Sequence, residues 1–190
     1  MAVSKENKAL AVYLRSKFGG TPSVSKFWDD AKRSDVDIMT VPDSPQPGVS
    51  SYATLGLSDS SIGLSSNDVR LGVELILALT NKYEDAANIL ASSAFAIINS
   101  KLKARPGSIF PRVIELYRPD LDMKHILLVP PFLWELETQE FAAKKVAWLL
   151  AVPISDEERN FALEKGSDAL ENVFEQKQID IFDLDRRSVL

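Results

Sequence analysis

Cysteine is absent from this chain of 190 residues, and histidine occurs once, at His125. The absence of cysteine excludes disulfides, thiolate metal sites and cysteine nucleophiles. A single histidine excludes zinc motifs that need two histidines and leaves few groups for general base catalysis. The composition therefore argues against thiol enzymes and against zinc enzymes with paired histidine ligands.

Long apolar runs and a recognisable secretion signal are also missing. Residues 86–100 form the longest charge-free helical candidate, and they fall short of the roughly 20 residues that a membrane span needs. Near the N-terminus, Glu6 and Arg15 confine the apolar patch of residues 9–14, so no signal peptide is predicted. We expect a soluble, cytoplasmic protein of ordinary globular composition, folded as one domain over residues 1–190.

Motifs that hold phosphates, metals or nucleophiles do not occur in a usable form. Neither GxGxxG nor GxxxxGK is found, and serine-rich residues 58–66 lack a GxSxG elbow. Residues 119–124 (PDLDMK) contain both halves of a nuclease-like carboxylate–lysine signature, but the halves overlap and cannot converge on one metal ion. Asp183 and Asp185 adjoin two arginines, which favours a charged turn over a metal site. We expect neither a cofactor nor a metal ion.

His125 precedes the apolar run ILLV, and no motif supplies it with a catalytic partner. Alternate positions along a strand face opposite sides of a sheet, so a structural or surface role is favoured over catalysis. No convergent set of acid, base and nucleophile is recognisable around it. We therefore expect that the protein is not an enzyme.

Charge is distributed unevenly along the chain. Residues 155–190 carry ten acidic and five basic side chains, so the net charge of −5 lies entirely in this segment. Such a patch repels nucleic acid and attracts basic protein surfaces, mainly through the rate and specificity of encounter. The alternative, which the sequence leaves open, is a pair of ordinary solvated helix faces.

Apolar periodicity and capping signals predict helices and strands without strict alternation. Helices are predicted over residues 5–18 and 83–103, after Ser155 and after Ser167. Strands are predicted at residues 24–28, 35–41, 50–57, 69–75, 113–117, 125–129 and 146–152, followed at the end by a short strand near Asp183. This order favours an α+β (mixed α/β) fold, with a central, mostly antiparallel mixed sheet flanked by helices.

The segment that begins at Lys144 gives the most detailed predictions. Residues 146–152 are apolar and bounded by a lysine pair and Pro153, which suits a strand buried on both faces. Trp148 and Leu150 share one face of that strand, so we expect both side chains to lie in the core.

Capping signals predict two helices after this strand. Ser155 and Glu158 have the spacing of a capping box, and Gly166 ends the first helix. Ser167 is predicted to cap the second helix, whose apolar face holds Leu170, Val173 and Phe174.

The order of motifs in this part of the chain resembles one known family. WLLxVPIS followed by acidic residues, GxDALExxFE and DIFDLDRxSV occur in succession within residues 148–189, and YATLGLS occupies residues 52–58. This order is similar to the Suppressor-of-fused domain, specifically its bacterial immunity or antitoxin branch. The resemblance implies a mixed sheet flanked by helices and a function in protein binding without catalysis.

A further implication of the resemblance is an immunity protein that binds and blocks the toxic domain of a cognate secreted toxin. The toxic domain is expected to be a basic nuclease, and no nucleic acid or membrane is expected to bind. The acidic segment then supplies the candidate contacts, because a basic surface is attracted to carboxylates. These candidate partner-binding residues are Glu157, Glu158, Asp168, Glu171 and Glu175.

Two other functions and one other set of contacts remain open at this point. The chain could be a regulatory domain with a different protein partner, or an enzyme or ligand-binding module with an unrecognised site. Aromatic residues could anchor an interface, although core packing is favoured for each of them: Phe27, Trp28, Phe132 and Trp134.

Overall fold

The computed structural model describes residues 4–62, 64–66, 69–100 and 102–190. Within these ranges the helices are α1 (Lys5–Phe18), α2 (Ala86–Ser100), α3 (Asp156–Lys165) and α4 (Ser167–Lys177). The strands are β1 (Ser23–Trp28), β2 (Asp35–Val41), β3 (Val49–Leu55), β4 (Ser65–Ser66), β5 (Val69–Thr80), β6 (Ile109–Phe110), β7 (Met123–Val129), β8 (Gln139–Glu140) and β9 (Lys144–Ser155). A short 3₁₀ turn occupies Leu57–Asp59.

The nine strands join one mixed sheet. Its main order is β1-β2-β3-β5-β9-β7-β6, with β4 paired to β5 and β8 paired to β9. β5 and β9 run parallel, with Val73 opposite Ala147. The other pairings within the described ranges are antiparallel. The predicted α+β fold with a mostly antiparallel mixed sheet flanked by helices is therefore confirmed.

β9 lies near the middle of the sheet and is buried on both faces. Trp148 and Leu150 face the core that is covered by α1, α3 and α4. Leu149 and Ala151 face the opposite core, which packs against α2. This alternation follows from the two-residue period of a strand. The prediction that Trp148 and Leu150 lie in the core is confirmed.

Local capping explains where the helices begin. At α3, the Ser155 hydroxyl accepts the backbone N–H of Glu158 (3.1 Å), while the Glu158 carboxylate accepts the N–H of Ser155 (3.0 Å). The predicted capping box is therefore confirmed. The prediction that Ser167 caps α4 is wrong, because Gly166 is the N-cap and Ser167 is the first helical residue. Gly166 is both the C-cap of α3 and the N-cap of α4. Its φ of 95° is a backbone conformation that glycine adopts readily and that other residues rarely do.

Two predicted strands are turns instead. Residues 113–117 form successive turns, in which the N–H groups of Tyr117 and Arg118 donate to the carbonyl of Ile114 (3.0 and 2.9 Å). Val113 and Ile114 are buried and pack from a turn, whereas Leu116 of the same segment is exposed. The strand in this region is the short β6, and residues 180–185 near the C-terminus form turns as well.

The predicted long helix is shorter at both ends than expected. Tyr83 lies in a turn, in which its N–H donates to the carbonyl of Thr80 (3.2 Å), so α2 begins only at Ala86. α2 ends at Ser100, Lys101 lies outside the described residues, and residues 102–103 are not helical. Among the helices described, none combines the length and the hydropathy that a membrane crossing requires.

Candidate protein-binding groove

A groove lies between α4, the five residues that follow it, and the loop after β7. Its volume is about 770 Å³, which falls in the range of sites that hold ligands. The sheet supplies its floor, and α4 and the segment after it supply its walls. The lining residues are Val129, Phe132, Leu133, Val152, Asp168, Glu171, Asn172, Phe174, Glu175, Gln178, Ile179, Asp180, Ile181 and Phe182.

The floor of the groove is apolar. Val129 ends β7 and Val152 lies on the neighbouring β9, and both belong to the core beneath α4. Phe174 of α4 belongs to the same core, and Ile179 and Ile181 pack against its edge from the segment after the helix. Val129, Val152 and Phe174 are themselves buried, so the apolar surface that stays accessible in the groove comes from the half-buried Ile179 and Ile181 and from exposed Phe132.

Phe132 extends this apolar surface at the mouth of the groove, where 63% of its surface is exposed. The favoured expectation of core packing is therefore wrong for Phe132. It is also wrong for Trp28, which is 53% exposed on the edge strand β1. Trp134 is buried and Phe27 packs partly against the core, as expected. An exposed aromatic ring beside an apolar cleft is a typical anchor of a protein interface.

Carboxylates form the rim of the groove. Asp168, Glu171 and Glu175 lie on one side of α4, because residues three and four apart share a helix face. Asp180 adds a fourth carboxylate from the segment after the helix, and among the described residues that line the groove there is no lysine, arginine or histidine. Partial burial raises the pKa of Glu171 above its usual value, and the charge of Asp168 raises it further. This electrostatic setting favours a cation at the rim.

The structure brings three of the five predicted contact residues together at the groove. Asp168, Glu171 and Glu175 line it, whereas Glu157 is exposed in the first turn of α3 and lies outside the lining. Glu158 departs from the prediction, because its side chain is fully buried. The Glu158 carboxylate is hydrogen-bonded inside the protein, so it does not belong to an exposed contact surface.

Glu158 binds the C-terminal tail. Its two carboxylate oxygens accept hydrogen bonds from the guanidinium of Arg186 at 2.6 and 2.8 Å. The N–H of Val189 also donates to Glu158 (3.2 Å), and Arg186 donates to the carbonyl of Pro153 (2.8 Å). The Arg186 guanidinium lies 5.4 Å from the centre of the Phe174 ring. These contacts hold the tail against the helix that forms one wall of the groove.

A second set of contacts holds the tail just after the groove. Lys82 pairs with Asp183 (2.9 Å) and Asp185 (2.8 Å), and the hydroxyl of Tyr83 bonds to Asp183. These hydrogen bonds raise the pKa of Lys82 above its usual value. The expectation of a charged turn with ion pairs at Asp183 and Asp185 is confirmed, although the cation is Lys82. Within the described ranges, no cluster of histidine and acidic side chains is arranged to hold a metal ion.

His125 is fully engaged inside the fold. Its Nδ1 accepts the N–H of Arg112 (2.9 Å), so Nε2 carries the proton that is shared with Asp156 (2.9 Å). Lys124 also binds Asp156 (2.7 Å), and these two partners lower the pKa of Asp156 to about 2. The structural role predicted for His125 agrees with this arrangement, since the ring is buried and ties β7 to the start of α3.

The sequence reading missed a buried polar network beside the YATLGLS motif. Glu74 lies fully buried within β5, where its carboxylate accepts the Thr54 hydroxyl (2.6 Å) and the N–H groups of Gly56 and Ser58 (both 3.0 Å). Burial raises the pKa of Glu74 despite these hydrogen bonds. In the sequence, Glu74 alternates with Val73 and Leu75, which is typical of a strand with one solvent-exposed face, so no local signal indicates that Glu74 is buried. The network stabilises the connection after β3 and lies apart from the groove.

Comparisons with known proteins relate the whole chain to one family. The family model described as Suppressor of fused protein matches residues 32–187. The immunity protein YqcF of Bacillus subtilis (strain 168) is 50% identical over 192 residues, which covers 100% of both chains.

Solved structures share the fold at low sequence identity. A Suppressor of fused homolog from Neisseria gonorrhoeae FA 1090 has a TM-score of 0.74 at 18% identity, with 97% of this chain and 96% of that chain covered. The structure of the Sufu–Fu complex has a TM-score of 0.67 at 15% identity, with 96% and 91% covered. The mixed sheet and its helices are therefore common to these proteins.

Proposed function

Because this chain belongs to the Suppressor of fused family, we propose that it acts as an immunity protein by binding another protein. Its partner is the toxic domain of a cognate secreted toxin, and this domain is a nuclease. Binding takes place in the cytoplasm of the cell that makes both proteins. The observation that carries this proposal is the full-length relative at 50% identity that is named an immunity protein.

The groove supports this proposal through its charge. A nuclease must hold polyanionic nucleic acid, so its substrate cleft is basic. The carboxylates of Asp168, Glu171, Glu175 and Asp180 line the groove, and the part of its lining that the structure describes holds no cationic side chain. An acidic surface of this kind is complementary to a basic cleft, and it would inhibit by occupying the space of the substrate.

The proposed inhibition needs no catalysis by this chain. Both ring nitrogens of His125, the only histidine, are occupied by Arg112 and Asp156. A general base must reach the proton that it removes from a substrate, and this buried ring has no free nitrogen to offer. Binding alone is therefore the mechanism that we propose.

Co-expression tests the proposal directly. The toxic domain encoded by a neighbouring toxin gene is expressed in a host cell with or without this protein, and growth and nucleic-acid integrity are followed. We expect growth to be restored, and the purified proteins to form a stable complex in which nuclease activity is lost. Absence of both rescue and complex formation, with a folded protein, would overturn the proposal.

A further inference from the structure

We propose that the groove holds a short segment of the partner protein, in which an apolar anchor side chain is flanked by lysine or arginine. This inference rests on the proposed function, because it supposes a protein partner. It adds the chemistry of the segment that the partner presents and the place where that segment binds.

The size and the floor of the groove indicate what fills it. A volume of about 770 Å³ matches sites that enclose a small ligand, so it accommodates a short peptide segment with its side chains. The floor consists of Val129, Val152 and Phe174, with Ile179 and Ile181 along one wall. The floor is already buried, so an aliphatic or aromatic side chain that enters the groove would remove from water the apolar surface that Ile179 and Ile181 leave partly exposed, which favours binding.

Phe132 marks the position of the anchor. The ring stands at the mouth of the groove and is mostly exposed. Phenylalanine, like tyrosine and tryptophan, is enriched in the buried cores of protein interfaces. An incoming apolar side chain would contact this ring and the partly exposed wall formed by Ile179 and Ile181, and so would exclude water from both.

The rim determines which residues flank the anchor. Glu175 and Asp168 are exposed on α4, Glu171 is half-buried between them, and Asp180 contributes from the segment after the helix. An acidic partner segment would be repelled by all four carboxylates. Lysine or arginine on either side of the anchor would pair with them, which also increases the association rate.

Three short peptides test the chemistry of the segment. Lys-Lys-Trp-Lys-Lys carries the anchor and the charge, Lys-Lys-Gly-Lys-Lys carries the charge alone, and Glu-Glu-Trp-Glu-Glu carries the anchor with the opposite charge. Each is titrated into the full-length protein, and backbone amide signals are followed by NMR. We expect the first peptide to shift signals of α4 and residues 178–182, and to bind at least about tenfold more tightly than the other two.

Variants with matched controls locate the binding site. Phe132→Ala should weaken binding of the tryptophan peptide about tenfold, whereas Leu116→Ala, which also removes an exposed apolar side chain (72% exposed), should not. Glu175→Lys should weaken both lysine peptides, whereas Glu164→Lys on α3 makes the same charge change away from the groove. Equal binding of the tryptophan and glycine peptides, or signal shifts confined to another surface, would overturn the proposal.

Two further outcomes separate this inference from the proposed function. If the wild type protects cells but Phe132→Ala and Glu175→Lys bind the toxic domain as tightly as the wild type, the groove is not the binding site and immunity stands. If the folded wild type gives neither protection nor a complex with the toxic domain, the proposed function fails whatever the peptides show. A dimer in sedimentation experiments that Phe132→Ala dissociates would assign the groove to a second copy of this chain and overturn the inference.

Discussion

Glu158 lies in the first turn of α3 and also binds the C-terminal tail. The capping box accounts for its contact with Ser155, but the contact with Arg186 joins residues 28 positions apart. Both charges of the pair are removed from water, so each depends on the other for compensation. One side chain thus connects a local helix signal to the placement of the last residues of the chain.

Glu158→Ala should lower the free energy of unfolding by about 3–5 kcal/mol, because it leaves the buried guanidinium of Arg186 without a partner. Urea denaturation measures the change. The double variant Glu158→Met with Arg186→Met should have a free energy of unfolding closer to that of the wild type than Glu158→Met or Arg186→Met alone, since no unpaired charge remains. If the loss of stability in the double variant equals the sum of the losses in the two single variants, the two charges are not coupled.

Trp148→Ala should destabilise the protein by about 3–5 kcal/mol, which is enough to unfold much of a marginally stable domain. The indole is buried, stacks near Tyr13 and donates to the carbonyl of Glu137 (2.9 Å). Trp28→Ala is the control, because that ring is exposed on an edge strand. A thermal shift of only a degree or two for Trp148→Ala would contradict the core assignment.

His125→Gln should leave protection against the toxic domain intact. Glutamine can accept the N–H of Arg112 through its oxygen and donate to Asp156 through its nitrogen, so the stability loss should be about 1 kcal/mol. Growth rescue and a thermal melt are compared for the variant and the wild type. Loss of protection in a normally folded variant would contradict the structural role of this residue.

At the scale of elements, α4 is the helix whose charges should matter most for recognition. Replacing Glu171 and Glu175 with lysine should slow association with the toxic domain by about tenfold at low salt and flatten the salt dependence of the rate. The melting temperature should change little, because Glu175 is exposed and the change at Glu171 removes repulsion from Asp168.

Stopped-flow binding at two ionic strengths measures this effect. The control replaces Glu164 and Asp30 with lysine, which makes the same change in net charge at two exposed positions outside the groove. If the association rate of the α4 variant equals that of the control, these glutamates belong to an ordinary solvated helix face.

The elements that sequence reasoning predicted well are those with local signals. The capping box at Ser155 and Glu158 lies within four consecutive residues, and the charge-free run of β9 identifies a strand buried on both faces. The strand predicted at residues 113–117 is wrong, because a short and mostly apolar segment is compatible with a strand and also with turns that bury part of it. Ser167 was misassigned because Gly166 alone can reverse the chain between two helices.

The groove could be predicted only in part. The carboxylates of α4 were identifiable from the spacing of Asp168, Glu171 and Glu175, which depends on one helix. The floor depends on the pairing of β7, which ends at Val129, with β9, which contains Val152, and no local pattern predicts that pairing of strands. The burial of Glu158 depends on Arg186 in the same way.

At the scale of the whole molecule, charge should exclude nucleic acid as a partner. Residues 1–154 carry equal numbers of acidic and basic side chains, and the remainder is acidic. The release of counterions that drives non-specific binding to DNA or RNA is therefore missing. Fluorescence anisotropy with a random duplex at moderate salt should show no binding, and micromolar affinity would contradict this prediction.

The parallel pairing of β5 with β9 has a consequence for how the protein is made. Arg70 lies opposite Lys144, so the middle of the sheet cannot close until most of the chain has left the ribosome. Pairings between strands so distant in sequence form slowly, because the intervening chain must be ordered first. Until β9 is in place, one edge of β5 has no strand beside it, and such unpaired edges make a partly folded chain prone to aggregation.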